Sequence, residues 1–138
     1  MFSSLGAGND ARTVLAAIDK SLAIIEFDLE GNILSANANF CTAMGYAASE
    51  IVGKHHSLFV EPAYAQSAEY RAFWAKLARG EFDAREYRRF GKGGREIWIH
   101  ASYNPIVGRN FSHPDNSAAC LKQRVACRTC LRLPRVFQ

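Results

Sequence analysis

No run of apolar residues in this chain approaches the ~20 needed to span a bilayer as a helix. The first residues, Met1 to Asp10, lack both a basic start and an apolar stretch, so they do not read as a secretory signal. The chain is therefore expected to be cytoplasmic. Only four cysteines occur, Cys41 and three near the end, and in a reducing cytosol they read as free thiols. No serine sits in a Gly-x-Ser-x-Gly setting and no Cys–His arrangement is evident, which leaves no case for an enzyme. There is no internal repeat and no low-complexity segment.

What is present is ordinary for one folded domain. The chain has 138 residues, 49% of them hydrophobic and 22% charged, enough to bury a core without metal or disulfide. The net charge of +4 is unevenly placed. Residues 1–108 carry 11 basic and 12 acidic side chains, while residues 109–138 carry 6 basic and 1 acidic. A basic tail can attract nucleic acid or anionic lipid. A solvated tail is the reading adopted, so no nucleic acid is expected.

Along the chain, Asp10 reads as an N-cap for a short amphipathic helix over 11–18. Leu22 to Phe27 and a segment from Ile33 form a hairpin around a turn containing Gly31. Asn37 to Met44 is helical and is stopped by Gly45. Ser49 is a candidate cap for a short helix reaching Val52. Ala68 to Arg79 is the clearest helix, with Tyr70, Phe73, Trp74 and Leu77 on one stripe. Phe82 to Phe90 is strand-like and leads through Gly91-Lys92-Gly93-Gly94 into an alternating strand from Glu96 to Tyr103. Ile97, Ile99 and Ala101 share one face of it, Trp98 and His100 the other, and Pro105 should end it. The class is α+β, an antiparallel sheet with short helices on one side.

Four phrases stand in fixed order: Ile33-Leu34-Ser35-Ala36-Asn37-Ala38-Asn39-Phe40, then Met44-Gly45-Tyr46 to Gly53-Lys54, then Trp74 to Glu81, then Trp98 to Ile106. Together they resemble a PAS sensor domain of the kind found in bacterial methyl-accepting chemotaxis and aerotaxis receptors. The resemblance implies a PAS fold over 21–108, preceded by an N-terminal helix in 1–20. It implies a cup that holds a small ligand or redox cofactor, with flavin (FAD), haem or no cofactor all open. The partners it implies are a second PAS copy, as a homodimer, or a downstream receptor signalling domain. In such domains a fifth strand follows and takes an inner place beside the first.

That likeness fails after Ile106. Residues 109–138 show neither alternation nor a helical stripe, and Ala, Arg, Cys and Leu dominate their end. The expectation is a divergent or frameshifted, poorly ordered tail, with the last strand missing or replaced and the chain a truncated receptor fragment. No methylation helices or kinase motifs are present, so the chain would not signal alone.

The candidate cofactor-binding residues are Asn37, Phe40, His56, Trp74, Tyr87 and Trp98. His56 offers a neutral imidazole to a haem iron or a flavin, and the tryptophans offer stacking faces. At these spacings aromatic residues more often belong to the core. Relatives that bind flavin carry a tryptophan after the Gly-Glu phrase, where Phe82 stands here. Arg85, Arg88, Arg89, Lys92 and Arg95 read as a solvated basic face around a hairpin turn. Cys127-x-x-Cys130 supplies only two of the four ligands a zinc ion wants, and His113 with Cys120 does not complete a standard finger.

Overall fold

A computed structural model describes residues 7–107 and 123–131. The described elements are α1 (Ala7–Ser21), β1 (Ala23–Asp28), β2 (Ile33–Ala36), α2 (Ala38–Met44), α3 (Ala48–Ile51), α4 (Pro62–Ala65), α5 (Ala68–Ala78), β3 (Asp83–Phe90), β4 (Glu96–Val107) and β5 (Gln123–Leu131). A 3₁₀ turn at His56–Phe59 lies between α3 and α4. The strands form one antiparallel sheet in the order β2-β1-β5-β4-β3.

The fifth strand is therefore present, and the expectation of a missing or replaced last strand is corrected. Residues 123–131 enter between β1 and β4. Six residue pairs join β5 to β1 and nine join it to β4. One row of facing residues runs Ile25, Cys127, Tyr103, Asp83 across four strands, and all four are buried. Residues 123–131 do carry an alternation, Val125, Cys127 and Leu131 against Arg124 and Arg128, but it is short and set in a basic, cysteine-rich stretch, so it is weak as a strand signal.

Most other boundaries follow local chemistry. The Asn37 Oδ1 accepts from the Phe40 N–H at 2.9 Å and so caps α2, and Gly45 ends that helix with φ of 77°. Ser67 caps α5 through the Tyr70 N–H. Three expectations are corrected. Helix α1 begins at Ala7, ahead of Asp10, which falls inside its first turn. Ser49 does not cap α3; the Glu50 carboxylate reaches back to the Ala47 N–H instead. Pro105 does not end β4, because pairing with β3 stops at Asp83–Tyr103, and beyond it a proline breaks no ladder on that side.

The helices cover one face of the sheet. Phe40, Met44, Ile51, Phe59, Phe73 and Leu77 pack against Ala23, Ile25, Phe27, Ile99 and Ala101. Each of the Phe, Leu, Ile and Met side chains among them, fully buried, contributes about 1.5–3 kcal/mol. Helix α1 stays largely exposed, with Val14 and Leu15 open to solvent. Its last turn is fastened by the Asn39 amide, which donates to the Asp19 and Lys20 carbonyls.

A chain ended after residue 122 loses both β5 ladders, and no strand pairing then joins β1–β2 to β4–β3. The expected outcome is loss of a cooperative thermal transition in circular dichroism. A sharp melt close to that of the full chain would contradict the central role of β5.

Candidate functional site

The space between helices and sheet centres on His56. Its backbone is pinned from both sides: the His56 N–H donates to the Gly31 carbonyl at 2.8 Å, and the Ile33 N–H donates to the Lys54 carbonyl at 2.8 Å. His55, next to it, accepts from the Ser57 N–H on Nδ1, so its Nε2 carries the proton and donates to the Glu30 carbonyl at 2.7 Å. Gly31 makes this close approach possible. Its φ is +89°, and a Cβ there would sit 2.6 Å from the His55 Nε2 and 3.1 Å from the Trp74 ring.

With its neighbour turned outward, the His56 side chain points into the core and is fully buried. Nδ1 lies 2.8 Å from the Tyr70 hydroxyl and Nε2 lies 3.1 Å from the Tyr103 hydroxyl. Burial pushes the His56 pKa well below 6.5, and the Arg89 guanidinium and His55 push in the same direction. The ring is neutral, so it has one donor and one acceptor nitrogen.

Arg89 extends the chain: its Nη2 donates to the Tyr103 hydroxyl at 3.2 Å. One His56 nitrogen donates to a tyrosine and the other accepts from one. Hydrogen bonds thus run unbroken along Arg89, Tyr103, His56 and Tyr70. Burial raises the Tyr103 pKa well above 10 and also raises that of Tyr70, so both hydroxyls keep their protons.

Arg89 corrects the reading of a solvated basic hairpin. It is 4% exposed. Alternation along β3 gives Asp83, Tyr87 and Arg89 the same side, and Arg89 pairs with the core-facing Ile97. That parity is visible in the sequence once the hairpin is drawn, but a cluster of arginines by itself reads as surface. The guanidinium lies 4.6 Å from the Tyr87 ring centroid, a cation–π contact. Burial works against its charge, the Tyr103 hydroxyl favours it, and the net direction is upward. Asp83 serves a different group. Burial alone would raise its carboxyl, but hydrogen bonds from Tyr87, Lys76 and Arg85 outweigh this and hold its pKa at about 2.

Of the six candidates, four converge. The Trp74 ring lies 5.4 Å from His56, Phe40 meets it through Phe59, and Tyr87 through Tyr103. Two do not. Asn37 joins α2 to β1, its Oδ1 accepting from the Ile24 N–H and its amide donating to the Leu22 carbonyl. Trp98 is 51% exposed on the other face of the sheet, its indole N–H donating to Glu96. Tyr70, Tyr103 and Arg89 join the site without having been singled out.

The core cavity lined by Phe27, Phe40, His56, Arg89 and Tyr103 measures about 10 Å³, room for at most one water. A flavin ring or haem does not fit that volume, and both His56 nitrogens are already engaged. On these observations the residues present do not suit either group. A second opening, a groove of about 290 Å³, runs along β3 and is lined by residues 85–90, Arg89 among them, with Val60 and Tyr64. Among the described residues no group of three potential ligands could hold a metal ion. His113 and Cys120 lie outside the described residues. No helix among the described residues is long and apolar enough to cross a membrane.

The sequence profile of the PAS fold matches residues 33–118. The chain belongs to the PAS fold family. It is 48% identical over 92 residues to the biofilm dispersion protein BdlA of Pseudomonas aeruginosa, a match covering 67% of this chain. It is 30% identical over 125 residues to the two-component system protein A of Emericella nidulans, covering 82% of this chain. The matches span only 22% and 18% of those two proteins, about a fifth of each. A solved domain of a sensory box sensor histidine kinase/response regulator from Geobacter sulfurreducens superposes with a TM-score of 0.63 at 20% identity, covering 92% of this chain and 96% of that one. That likeness concerns the fold alone.

Two predictions follow from the His56 geometry. A neutral buried histidine with a depressed pKa stabilises the fold above its unfolded value of 6.5, and the stabilisation is lost as pH falls below it. Stability measured by urea unfolding should drop from pH 7 to pH 5 with a slope approaching ~1.4 kcal/mol per pH unit. His56→Gln should remove that component, and an unchanged slope would contradict the assignment. Gly31→Ala combines positive φ with a clash at His55 and should cost about 1–3 kcal/mol, read as a lowered urea midpoint. A midpoint equal to the parent's would show that the loop has room to give.

Proposed function

We propose that this chain is the sensory module of a larger chemotaxis-type signalling receptor inside the cell. It binds a small molecule that reaches the buried polar chain, and passes the bound state to a downstream domain. The observation that carries this reading is the buried hydrogen-bonded chain from Arg89 through Tyr103 and His56 to Tyr70. It joins the edge strand β3 to α5 across the core. A ligand that engages any member changes the proton arrangement along the whole chain, and so biases how α5 packs on the sheet. The longer BdlA relative supports a role as one module within a multidomain protein.

A second reading is a colourless interaction module that pairs with another PAS copy. The nearly filled core favours it, because the side chains of the protein itself occupy the cup. Neither reading includes catalysis, flavin or haem.

The test is to purify the folded chain, record its visible spectrum, denature it and analyse the released small molecules by mass spectrometry. No Soret or flavin band is expected, and a stoichiometric released compound supports ligand sensing. A strong Soret band would overturn the cofactor-free reading. No released compound, with a dimer by light scattering, would favour the pairing module.

A further inference from the structure

Arg89 is a buried cation with no acidic partner among the described residues. No carboxylate there lies within ion-pair reach of it. Its Nη1 donates to the Arg88 carbonyl and its Nη2 to Tyr103, while the buried Nε–H has no partner. Leaving a guanidinium buried and unpaired is costly, and a buried donor without an acceptor needs an explanation.

The groove outside β3 supplies one. It is lined by Arg89 together with Val60, Tyr64, Tyr87 and Phe90. Its volume of about 290 Å³ is at the small end of ligand sites. Two more arginines line it, Arg85 and Arg88, and so do Glu61, Glu69 and Glu86. Arg85 is held by Asp83, and Arg88 by Glu61 and Glu96. Arg89 is left as the one arginine of the groove without an ion pair among the described residues.

We infer that this groove binds a small monocarboxylate, Arg89 turning its Nε and Nη donors toward the carboxylate, whose apolar remainder lies against Tyr64, Tyr87 and Phe90. A guanidinium presents a planar fork that matches a carboxylate in two parallel hydrogen bonds. A monoanion neutralises one unpaired cation. A dianion such as phosphate leaves surplus negative charge beside three glutamates. Carboxylate binding would also draw Arg89 away from Tyr103, so the bound state reaches His56 and Tyr70. The inference rests on the ligand-sensing reading above and names the class of ligand.

The test compares benzoate with benzamide, its neutral counterpart, and with inorganic phosphate, at constant ionic strength. Binding to the full chain is read by thermal shift and by the NMR signal of the Arg89 Nε–H. Benzoate should raise the melting temperature and move the Nε–H signal, and benzamide and phosphate should do neither. Arg89→Gln should weaken benzoate at least tenfold, while Arg79→Gln, outside the groove, should leave it within about threefold. Should Arg89→Gln fail to fold, the Nε–H shift in the parent chain decides. Equal binding of benzoate and benzamide overturns carboxylate selection but leaves ligand sensing standing. A phosphate response exceeding that of benzoate also overturns it. No binding of any probe, together with no small molecule released on denaturation, overturns both.

Discussion

The sheet depends on β5 lying between β1 and β4. Without it the hairpin β1–β2 and the hairpin β3–β4 have no common edge, and the inner face has a gap where Cys127 stands between Ile25 and Tyr103. Joining these hairpins costs chain entropy, since β5 follows β1 by about a hundred residues. The return is a continuous floor for the helices and a fixed position for Tyr103, whose hydroxyl meets both Arg89 and His56. The polar site therefore inherits its geometry from the placement of the last strand.

Within that frame the core combines two chemistries. One half is aliphatic and aromatic, around Phe40, Met44, Ile51 and Phe59. The other is a polar chain set among rings, with Phe27, Trp74 and Tyr87 close by. Low dielectric strengthens each hydrogen bond in such a chain and raises the cost of any group left out. Arg89 is where this matters most, because it brings a full charge into the interior and no carboxylate among the described residues answers it. Asp83 shows the contrasting solution on the same strand: it too is buried, but it is met by two cations and a hydroxyl.

Much of this was legible from the sequence. The order of elements up to Tyr103, the α5 stripe, the Asn37 cap and the Gly45 stop follow from periodicity and capping chemistry, which act over a few residues. Family likeness supplies the inner position of a fifth strand, yet the residues that form it stand out poorly, since their alternation rests on Val125, Cys127 and Leu131 alone in a basic, cysteine-rich stretch. The sequence offers His56 as a candidate cofactor ligand; that it sits between two tyrosine hydroxyls is not readable there, because Tyr70 and Tyr103 lie 14 and 47 residues away. Arg89 was placed on the surface because composition groups it with four other basic residues. Register with Ile97 puts it inside.

The sequence by itself determined the local elements, their turns and the family, since these rest on backbone preferences and short-range hydrogen bonds. Tertiary structure decided that Trp98 faces away from the site, that β5 closes the sheet, and that one of five clustered cations is buried. Those outcomes depend on strand order and register, which bring distant residues together and which no local pattern encodes.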